Sequence, residues 1–279
     1  NTLYEAVKRS NAGDIIELEE GGTYLLTKAV KIKHPLSFKT IGNRKATILF
    51  ERMMAFEIQN GGSLSLENIK FDGAKSPDYA GNSVISTSKK SMIENYKLFI
   101  DNCDFEDLVV NHSFDVLRVS KGSFADTISI TFSKFKNITG HIAAHDKETD
   151  DIGAYNVEYL IMKNNTIADV QGAALRLYRG GKDESTFGPH AYVKGNKIHN
   201  IGHSKRNKIN AAIKLHGVQQ SYVSGNQFTQ SELIKVEHTV GDPVTEIENN
   251  QFTATAKPEA VELVFKQAST AKITNNTYQ

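Results

Sequence analysis

Three runs between Ala173 and His238 match one another position by position: Ala174-Leu175-Arg176-Leu177-Tyr178, Ala212-Ile213-Lys214-Leu215-His216 and Leu233-Ile234-Lys235-Val236-Glu237. Apolar and polar residues alternate in each run with a period of two, which is the pattern of a β-strand with one buried face. The simplest interpretation places the central cation of each run on the outer face. A basic residue then recurs at the same place on successive strands.

A second kind of strand recurs between these runs and along most of the chain. Val193-Lys194-Gly195-Asn196-Lys197-Ile198 matches Val223-Ser224-Gly225-Asn226-Gln227-Phe228. The apolar residue that closes this strand recurs every 24 to 34 residues. It is found at Phe71, Phe105, Phe135, Ile167, Ile198, Phe228, Phe252 and Tyr278. A repeat of this length is typical of solenoid proteins.

The type of repeat follows from the residues in it. Val, Ile, Phe and Thr are frequent in the runs and alternate with a period of two, which argues against helical repeats. The spaced leucines of leucine-rich repeats are missing. We therefore predict an all-β fold, a right-handed parallel β-helix that forms one domain over residues 1–279. Thr2-Leu3-Tyr4-Glu5 resembles a capping box and predicts a short helix within residues 1–10, which covers the open end of the solenoid.

Asparagine occupies one position of the repeat, two residues before the closing apolar residue. It is found at Asn165, Asn196, Asn226, Asn250 and Asn276. Asparagine tolerates the left-handed backbone conformation that a tight turn requires. Its amide can also hydrogen-bond to the equivalent amide one coil away. We predict that these residues adopt that conformation and form a ladder at a corner of the solenoid.

Composition limits the function. The net charge of the 279-residue chain is +1, so recognition by charge requires a local patch, and we expect neither nucleic acid nor a membrane as a partner. No run of 18 apolar residues is present that could span a membrane. The single cysteine, Cys103, excludes internal disulfides and is expected to be an inert core thiol. The chain begins at Asn1 without a signal sequence, so we expect a processed protein or a piece of a longer one.

Long insertions interrupt the repeat and are expected to form loops on the binding face. His141 to Tyr155 contains Asp146, Glu148, Asp150 and Asp151, which could bind calcium or form a solvated acidic loop. The absence of EF-hand spacing favours the solvated loop. Arg179 to Pro189 could close over a groove, or be fixed by its glycines with Arg179 paired to Asp183. A fourth insertion, residues 202–210, is basic, with His203, Lys205, Arg206 and Lys208.

Two segments resemble a known family. Leu3-Tyr4-Glu5-Ala6-Val7, followed by Ala12-Gly13-Asp14-Ile15-Ile16-Glu17-Leu18, resembles the start of chondroitinase-B-like and alginate-lyase β-helices. The segment from Leu177 to Pro189 is similar to the second, C-terminal β-helix of two-domain alginate lyases of polysaccharide lyase family 6. This resemblance implies alginate as the substrate class, β-elimination as the reaction, and a secreted or periplasmic bacterial setting.

The same resemblance identifies a departure from the family's catalytic domain. That domain uses a lysine base and an arginine acid one coil apart, with calcium held by an asparagine and two glutamates. Here Lys214 is followed one coil later by Lys235, and Asn210-Ala211-Ala212-Ile213 stands in place of the Glu-x-Glu that precedes the lysine. We therefore assign no metal site and no cofactor to this chain, and expect calcium only in a catalytic partner domain.

The candidate site combines an outward row of cations with the residues two positions further on. Elimination needs a clamp on the uronate carboxylate, a base for the C5 proton and an acid for the leaving oxygen. The catalytic candidates, with Lys214 as base, are Lys214, Arg176, Tyr178 and His216. The substrate-binding candidates are Arg118, Arg179, Lys235, Glu237 and His238. The alternatives for the row are a passive solvated face, sugar binding and catalysis.

We expect this chain to be the accessory β-helix of an alginate lyase, which supports the catalytic domain and the substrate groove. The expected partners are an acidic polysaccharide, a neighbouring catalytic β-helix domain and a second copy in a homodimer. The first alternative is a polysaccharide lyase in its own right, using Lys214 and Arg176. The second is a non-catalytic glycan-binding or adhesion solenoid.

Overall fold

A computed structural model of the protein describes residues 2–150, 152–180, 188–204, 209–255, 260–265 and 270–279. Within these ranges the chain forms one short helix and three parallel β-sheets. Successive strands along the chain alternate among the three sheets, and each sheet is extended by one strand per coil. This arrangement confirms the predicted all-β parallel β-helix.

The sheets are named A, B and C in the order in which each coil visits them. Sheet A contains Ile15–Leu18, Pro35–Thr40, Ser63–Glu67, Ile93–Asp101, Ser123–Thr131, Val157–Lys163, His190–Lys194, Gln220–Ser224, Val244–Glu248 and Thr270–Thr274. Sheet B contains Thr23–Leu26, Ala46–Phe50, Ile69–Asp72, Asp104–Leu108, Lys134–Ile138, Thr166–Val170, Lys197–Ile201, Gln227–Thr229, Gln251–Thr253 and Thr277–Tyr278. Sheet C contains Val30–Ile32, Met54–Ile58, Asn82–Thr87, Phe114–Arg118, Ala143–His145, Leu175–Tyr178, Ile213–His216, Ile234–His238 and Val261–Phe265.

Each coil holds three strands, where the sequence pattern indicated two kinds. The run from Val193 to Ile198 is split between His190–Lys194 of sheet A and Lys197–Ile201 of sheet B. The break falls at Gly195, whose φ of 68° lies in the left-handed region. A left-handed residue turns the chain out of the extended conformation. The repeat that looked like one strand is therefore a corner between two sheets.

The core is built by stacking equivalent residues of successive coils. The closing residues of the second pattern pair in register along sheet B, for example Phe71 with Phe105 and Phe105 with Phe135. Their rings are stacked, with centroids 4.9 Å and 5.0 Å apart. This separation is close to the spacing of neighbouring strands, about 4.8 Å, so in-register pairing itself brings the rings into contact.

The asparagine ladder is confirmed, and it lies at the corner between sheets A and B. The backbone N–H and side-chain amide of Asn165 both donate to Oδ1 of Asn196 at 2.9 Å. The same bonds join Asn196 to Asn226, Asn226 to Asn250, and Asn250 to Asn276. The ladder therefore supplies the hydrogen bonds that the buried corner backbone needs.

The prediction that the ladder asparagines adopt the left-handed conformation is wrong. The left-handed residue is the one before each of them: Asn164, Gly195, Gly225, Asn249 and Asn275, with φ between 55° and 68°. The turn needs one left-handed residue, which is asparagine or glycine at all five of these corners. The next residue points inward, where its amide can reach the coil above.

The N-terminal helix spans Leu3–Arg9 and begins at the predicted N-cap. The Thr2 hydroxyl accepts a hydrogen bond from the backbone N–H of Glu5 at 3.4 Å. Leu3 is buried, and Tyr4 and Val7 pack against the core cluster. The helix therefore covers apolar side chains of the first coil, as predicted.

Several other predictions concern single residues or loops. Cys103 is buried, and burial raises the pKa of its thiol to about 12, as expected for an inert core thiol. In the part of the chain that the structure describes, no helix is both long and apolar enough to cross a membrane. The predictions for Asp151, Asp183, Lys205, Arg206 and Lys208 lie outside the described residues.

Candidate functional site

The predicted row of cations lies on the outer face of sheet C. Arg176 pairs in register with Lys214, and Lys214 pairs with Lys235. Arg118 belongs to the same row but is separated from Arg176 by Ala144, which pairs with both. Neighbouring strands are about 4.8 Å apart, so three cations follow one another at that interval and a fourth lies beyond a gap.

Most cations of the row already have a carboxylate partner. Arg176 Nη2 lies 2.5 Å from an oxygen of Asp146. Lys235 lies 3.8 Å from Glu262 and Arg118 lies 3.9 Å from Asp115, both at the limit of an ion pair. Lys214 is exposed and has no ion-pair partner among the described residues. The centre of the row therefore carries the cation that is most available to an anionic ligand.

A row of rings lies beside the cations. The rings of Tyr178 and His216 are stacked, with centroids 4.3 Å apart and planes inclined by 7°. Nδ1 of His216 lies 2.9 Å from a carboxylate oxygen of Glu237 on the next strand. The carboxylate accepts only, so His216 donates from Nδ1, and its Nε2 can act as a proton acceptor.

The structure brings the four predicted catalytic residues together. Arg176, Tyr178, Lys214 and His216 line one depression of about 80 Å³, together with Asp146 and Leu177. The depression offers an ammonium group, an imidazole fixed by a carboxylate, and a phenol. It can bind a carboxylate through Lys214 and exchange a proton through His216 or Tyr178. Arg176 is held by Asp146, so its guanidinium is only partly open to a ligand.

Two buried residues behind Arg176 were not predicted. Nε2 of His141 lies 3.3 Å from Nη1 of Arg176, while its Nδ1 accepts a hydrogen bond from the backbone N–H of Ala173. Asp115 accepts a hydrogen bond from the backbone N–H of His141 at 2.8 Å. Burial lowers the pKa of His141 to about 4, so this histidine is neutral at neutral pH. The sequence signal was weak, because these residues lie in separate coils.

Two predicted binding residues lie in the interior. Arg179 is fully buried, and its backbone N–H donates to the carbonyl of His216. His238 is 1% exposed, its ring is packed edge-on against Phe265, and its Nε2 lies 2.7 Å from the Thr245 hydroxyl. Their burial removes both side chains from the surface that a polymer could contact in this conformation.

The carboxylates of the acidic insertion that the structure describes, Asp146, Glu148 and Asp150, do not converge on one point. Asp146 pairs with Arg176, Glu148 accepts a hydrogen bond from the backbone N–H of Gly122, and Asp150 pairs with Lys121. These carboxylates are directed at three different partners, whereas calcium needs six to eight oxygens around one point. No group of three or more His, Cys, Asp or Glu residues in the described ranges could hold a metal ion.

Comparison with known proteins gives a relationship over the whole chain. The chain is similar to a solved structure of the PL6 family alginate lyase AlyGC, with 38% sequence identity and a TM-score of 0.94. The match covers 99% of this chain and 38% of that one. A mutant of the same lyase matches with 38% identity and a TM-score of 0.95, covering 100% of this chain and 38% of the other. No family model and no curated protein matches.

The chain thus spans about two fifths of the length of the lyase structures that it matches. The match includes all three sheets and the N-terminal helix, because it covers 99% of the chain. By sequence and by fold, the chain therefore belongs with the β-helices of PL6 family alginate lyases.

Proposed function

We propose that this β-helix is an accessory domain of an alginate lyase and binds polyuronate along the outer face of sheet C. In this proposal a neighbouring catalytic domain performs the β-elimination, and any calcium that the reaction needs is held there. The similarity to alginate lyases supports the substrate class. The coverage of 38% of the lyase chain supports a role as one part of a larger enzyme.

The observation that carries the proposal is the spacing of Arg176, Lys214 and Lys235. These cations occupy three consecutive strands at one register position, so they recur about every 4.8 Å along the solenoid axis. An extended polyuronate carries one carboxylate on each sugar. A chain lying along the axis can therefore place carboxylates beside this row of cations.

Two features favour binding over catalysis. Lys235 lies one coil after Lys214, at the position where the catalytic domains of the family that this chain resembles have an arginine acid. The stretch Asn210-Ala211-Ala212-Ile213, which precedes Lys214 in place of Glu-x-Glu, contains no carboxylate, and Ala211 and Ala212 are fully buried. The means by which those domains neutralise the substrate carboxylate is therefore missing from the equivalent positions.

A second candidate function is catalysis at the depression lined by Lys214, Tyr178 and His216, and the grouping of these side chains favours it. Lys214 would remove the proton from C5 of the uronate. The bond between C4 and the leaving oxygen would then break as a C4–C5 double bond forms. Tyr178 or His216 would donate a proton to that oxygen. This reaction needs Lys214 in its neutral form.

The setting of the protein is also part of the proposal. Alginate is an extracellular polymer, so the proposed function requires a secreted or periplasmic location. The expected partners remain a catalytic β-helix domain and a second copy of the chain. A free-standing glycan-binding or adhesion solenoid would use the same row of cations without any catalytic partner.

Lys214→Ala provides the test. We expect the purified chain to bind alginate in affinity electrophoresis and to release no unsaturated uronate, measured by ultraviolet absorbance. Lys214→Ala should weaken binding about two- to fivefold, the effect of losing one exposed charge pair. Lys194→Ala, which removes an exposed lysine from sheet A, is the matched control and should bind like the wild type.

The other outcomes separate the candidates. Product that forms with the wild type and disappears in Lys214→Ala would establish the catalytic candidate and overturn the accessory role. A folded wild type that does not bind alginate would overturn both. Equal weakening by Lys214→Ala and Lys194→Ala would show that charge alone, and not the row on sheet C, determines binding.

A further inference from the structure

A second concavity lies nearer the N-terminus on sheet C, apart from the depression around Lys214. It has a volume of about 290 Å³, close to the lower end of the range for ligand pockets. Its lining includes Glu57, Ser86 and Arg118, which pair in register on three consecutive strands. Arg118 is also the first member of the cation row. The concavity, here called the Arg118 cleft, therefore continues the same face.

The Arg118 cleft is positively charged. Three cations line it, Lys89, Lys90 and Arg118, against the carboxylate of Glu57 in the lining and that of Asp115, which lies 3.9 Å from Arg118. Both lysines are exposed and have no ion-pair partner among the described residues. Arg118 packs against the backbone of Gly81, where a Cβ would lie 3.0 Å from Nη1. In a chain with a net charge of +1, this local excess of charge favours an anionic ligand.

The cleft also contains hydroxyl groups with unused hydrogen-bonding capacity. Ser83 lines the cleft and is fully buried, yet its hydroxyl has no hydrogen-bond partner. The Ser86 hydroxyl donates only to the sulfur of Met54, at 3.1 Å, and a thioether is a weak acceptor. A buried hydroxyl without a hydrogen-bond partner lowers the stability of the fold. A ligand that hydrogen-bonds to the hydroxyl would explain why such a group is present.

The remaining wall is apolar. This wall is formed by Met53, Met54 and Ala80. Cations, hydroxyls and an apolar wall together match a carboxylated sugar, which has a charged group, hydroxyls and a C–H face. Inorganic anions would use only the cations and leave the apolar wall without a role.

We propose that the Arg118 cleft binds one terminal unit of an acidic oligosaccharide, as a subsite at one end of the face that carries the cation row. The proposal rests on the proposed polyuronate binding for the choice of sugar. Arg118 connects the two regions, since it lines the cleft and lies two strands from Arg176. The cleft would therefore set the register of a bound chain.

The first test uses calorimetric titration of the whole chain with a mannuronate disaccharide. Ser83→Ala should weaken binding about five- to tenfold, the effect of one hydrogen bond to a charged or polar ligand. Its thermal stability should not fall, because no protein partner is lost. Ser221→Ala is the matched control: Ser221 is equally buried, its hydroxyl is equally unpartnered, and it does not line the cleft.

The second test concerns charge. Replacing Lys89 and Lys90 together by alanine should weaken disaccharide binding at least tenfold at low salt. The same double replacement at Lys134 and Lys136, exposed on sheet B, changes the net charge equally and should have no effect. Sulfate that binds as tightly as the disaccharide, or Ser83→Ala that binds like the wild type, would overturn the assignment.

The experiments distinguish failure of the Arg118 cleft proposal from failure of the proposed polyuronate binding along the cation row. Polymer binding that depends on Lys214 but is unaffected by Ser83→Ala and by the Lys89 and Lys90 double variant would leave the cation row in place and overturn the cleft. Disaccharide binding that depends on Ser83 while Lys214→Ala has no effect on polymer would establish the cleft and overturn the row.

Discussion

Replacing Asn196 by alanine should lower the free energy of unfolding by about 2–5 kcal/mol, since it removes the buried hydrogen bonds of one step of the ladder, including the one that the backbone N–H of Asn165 donates. Nδ2 of Asn196 donates to the carbonyl of Met162 at 3.0 Å and to Oδ1 of Asn226 at 2.9 Å. Its Oδ1 accepts from the backbone N–H of Asn165. Asn196 is 1% exposed, so water cannot replace these bonds.

Asn196→Ser is the matched variant, because serine occupies this ladder position in an earlier coil. The Ser133 hydroxyl accepts a hydrogen bond from the backbone N–H of Cys103 at 3.0 Å. Serine at position 196 should therefore recover part of the loss. Guanidinium unfolding followed by circular dichroism measures both variants. Losses below about 0.5 kcal/mol, the usual range of surface substitutions, would contradict a structural role for the ladder.

His145→Leu should stabilise the protein, and most strongly at acid pH. His145 is fully buried, and neither ring nitrogen has a hydrogen-bond partner. It pairs in register with Leu177, so leucine suits this inward position of sheet C. At neutral pH, removal of the unpartnered nitrogens should raise the free energy of unfolding by about 1–3 kcal/mol.

The pH dependence follows from the pKa of the buried imidazole. Burial lowers the pKa of His145 from 6.5 to about 3. Below pH 6.5 the unfolded chain binds a proton that the folded chain does not, so the stability of the wild type falls as the pH drops toward 3. Each pKa unit corresponds to about 1.4 kcal/mol. The advantage of His145→Leu should therefore grow between pH 7 and pH 4.

Unfolding midpoints at a series of pH values test this result. His112→Leu serves as the control, because His112 is exposed and has the same change in side chain. His141 retains its own lowered pKa of about 4 in every variant, so some loss of stability in acid should remain. Parallel pH profiles for wild type and His145→Leu would show that His145 does not contribute to acid destabilisation.

The repeats made much of the fold predictable. In a parallel β-helix, one register relates every coil to the next, so residues that match in sequence also stack in space. This is why the alignment of Arg176, Lys214 and Lys235 and the order of the closing aromatic residues were both correct. The same reasoning recognised the ladder at Asn196, because an identical residue at a fixed position implies a contact between coils.

The errors arose where the period alone is not informative. The run from Val193 to Ile198 was assigned to one strand even though a corner was predicted at its asparagine, because glycine also occurs within strands. The left-handed residue was misplaced by one position, since both Asn164 and Asn165 are asparagine and propensity cannot tell them apart. Arg179 was predicted to bind substrate, but its place directly after a strand does not reveal that its side chain is fully buried.

The sequence alone thus determined the all-β solenoid, the outward cations and the residues that stack in the core. The alternation of apolar and polar residues is a local pattern, and it recurs in every coil at a regular interval. The tertiary structure alone showed which cations are neutralised. Arg176, for example, contacts Asp146 and His141, which lie in the preceding coil, about 30 residues away in sequence. It also revealed the Arg118 cleft, since its walls come from several coils and no single stretch of sequence contains them.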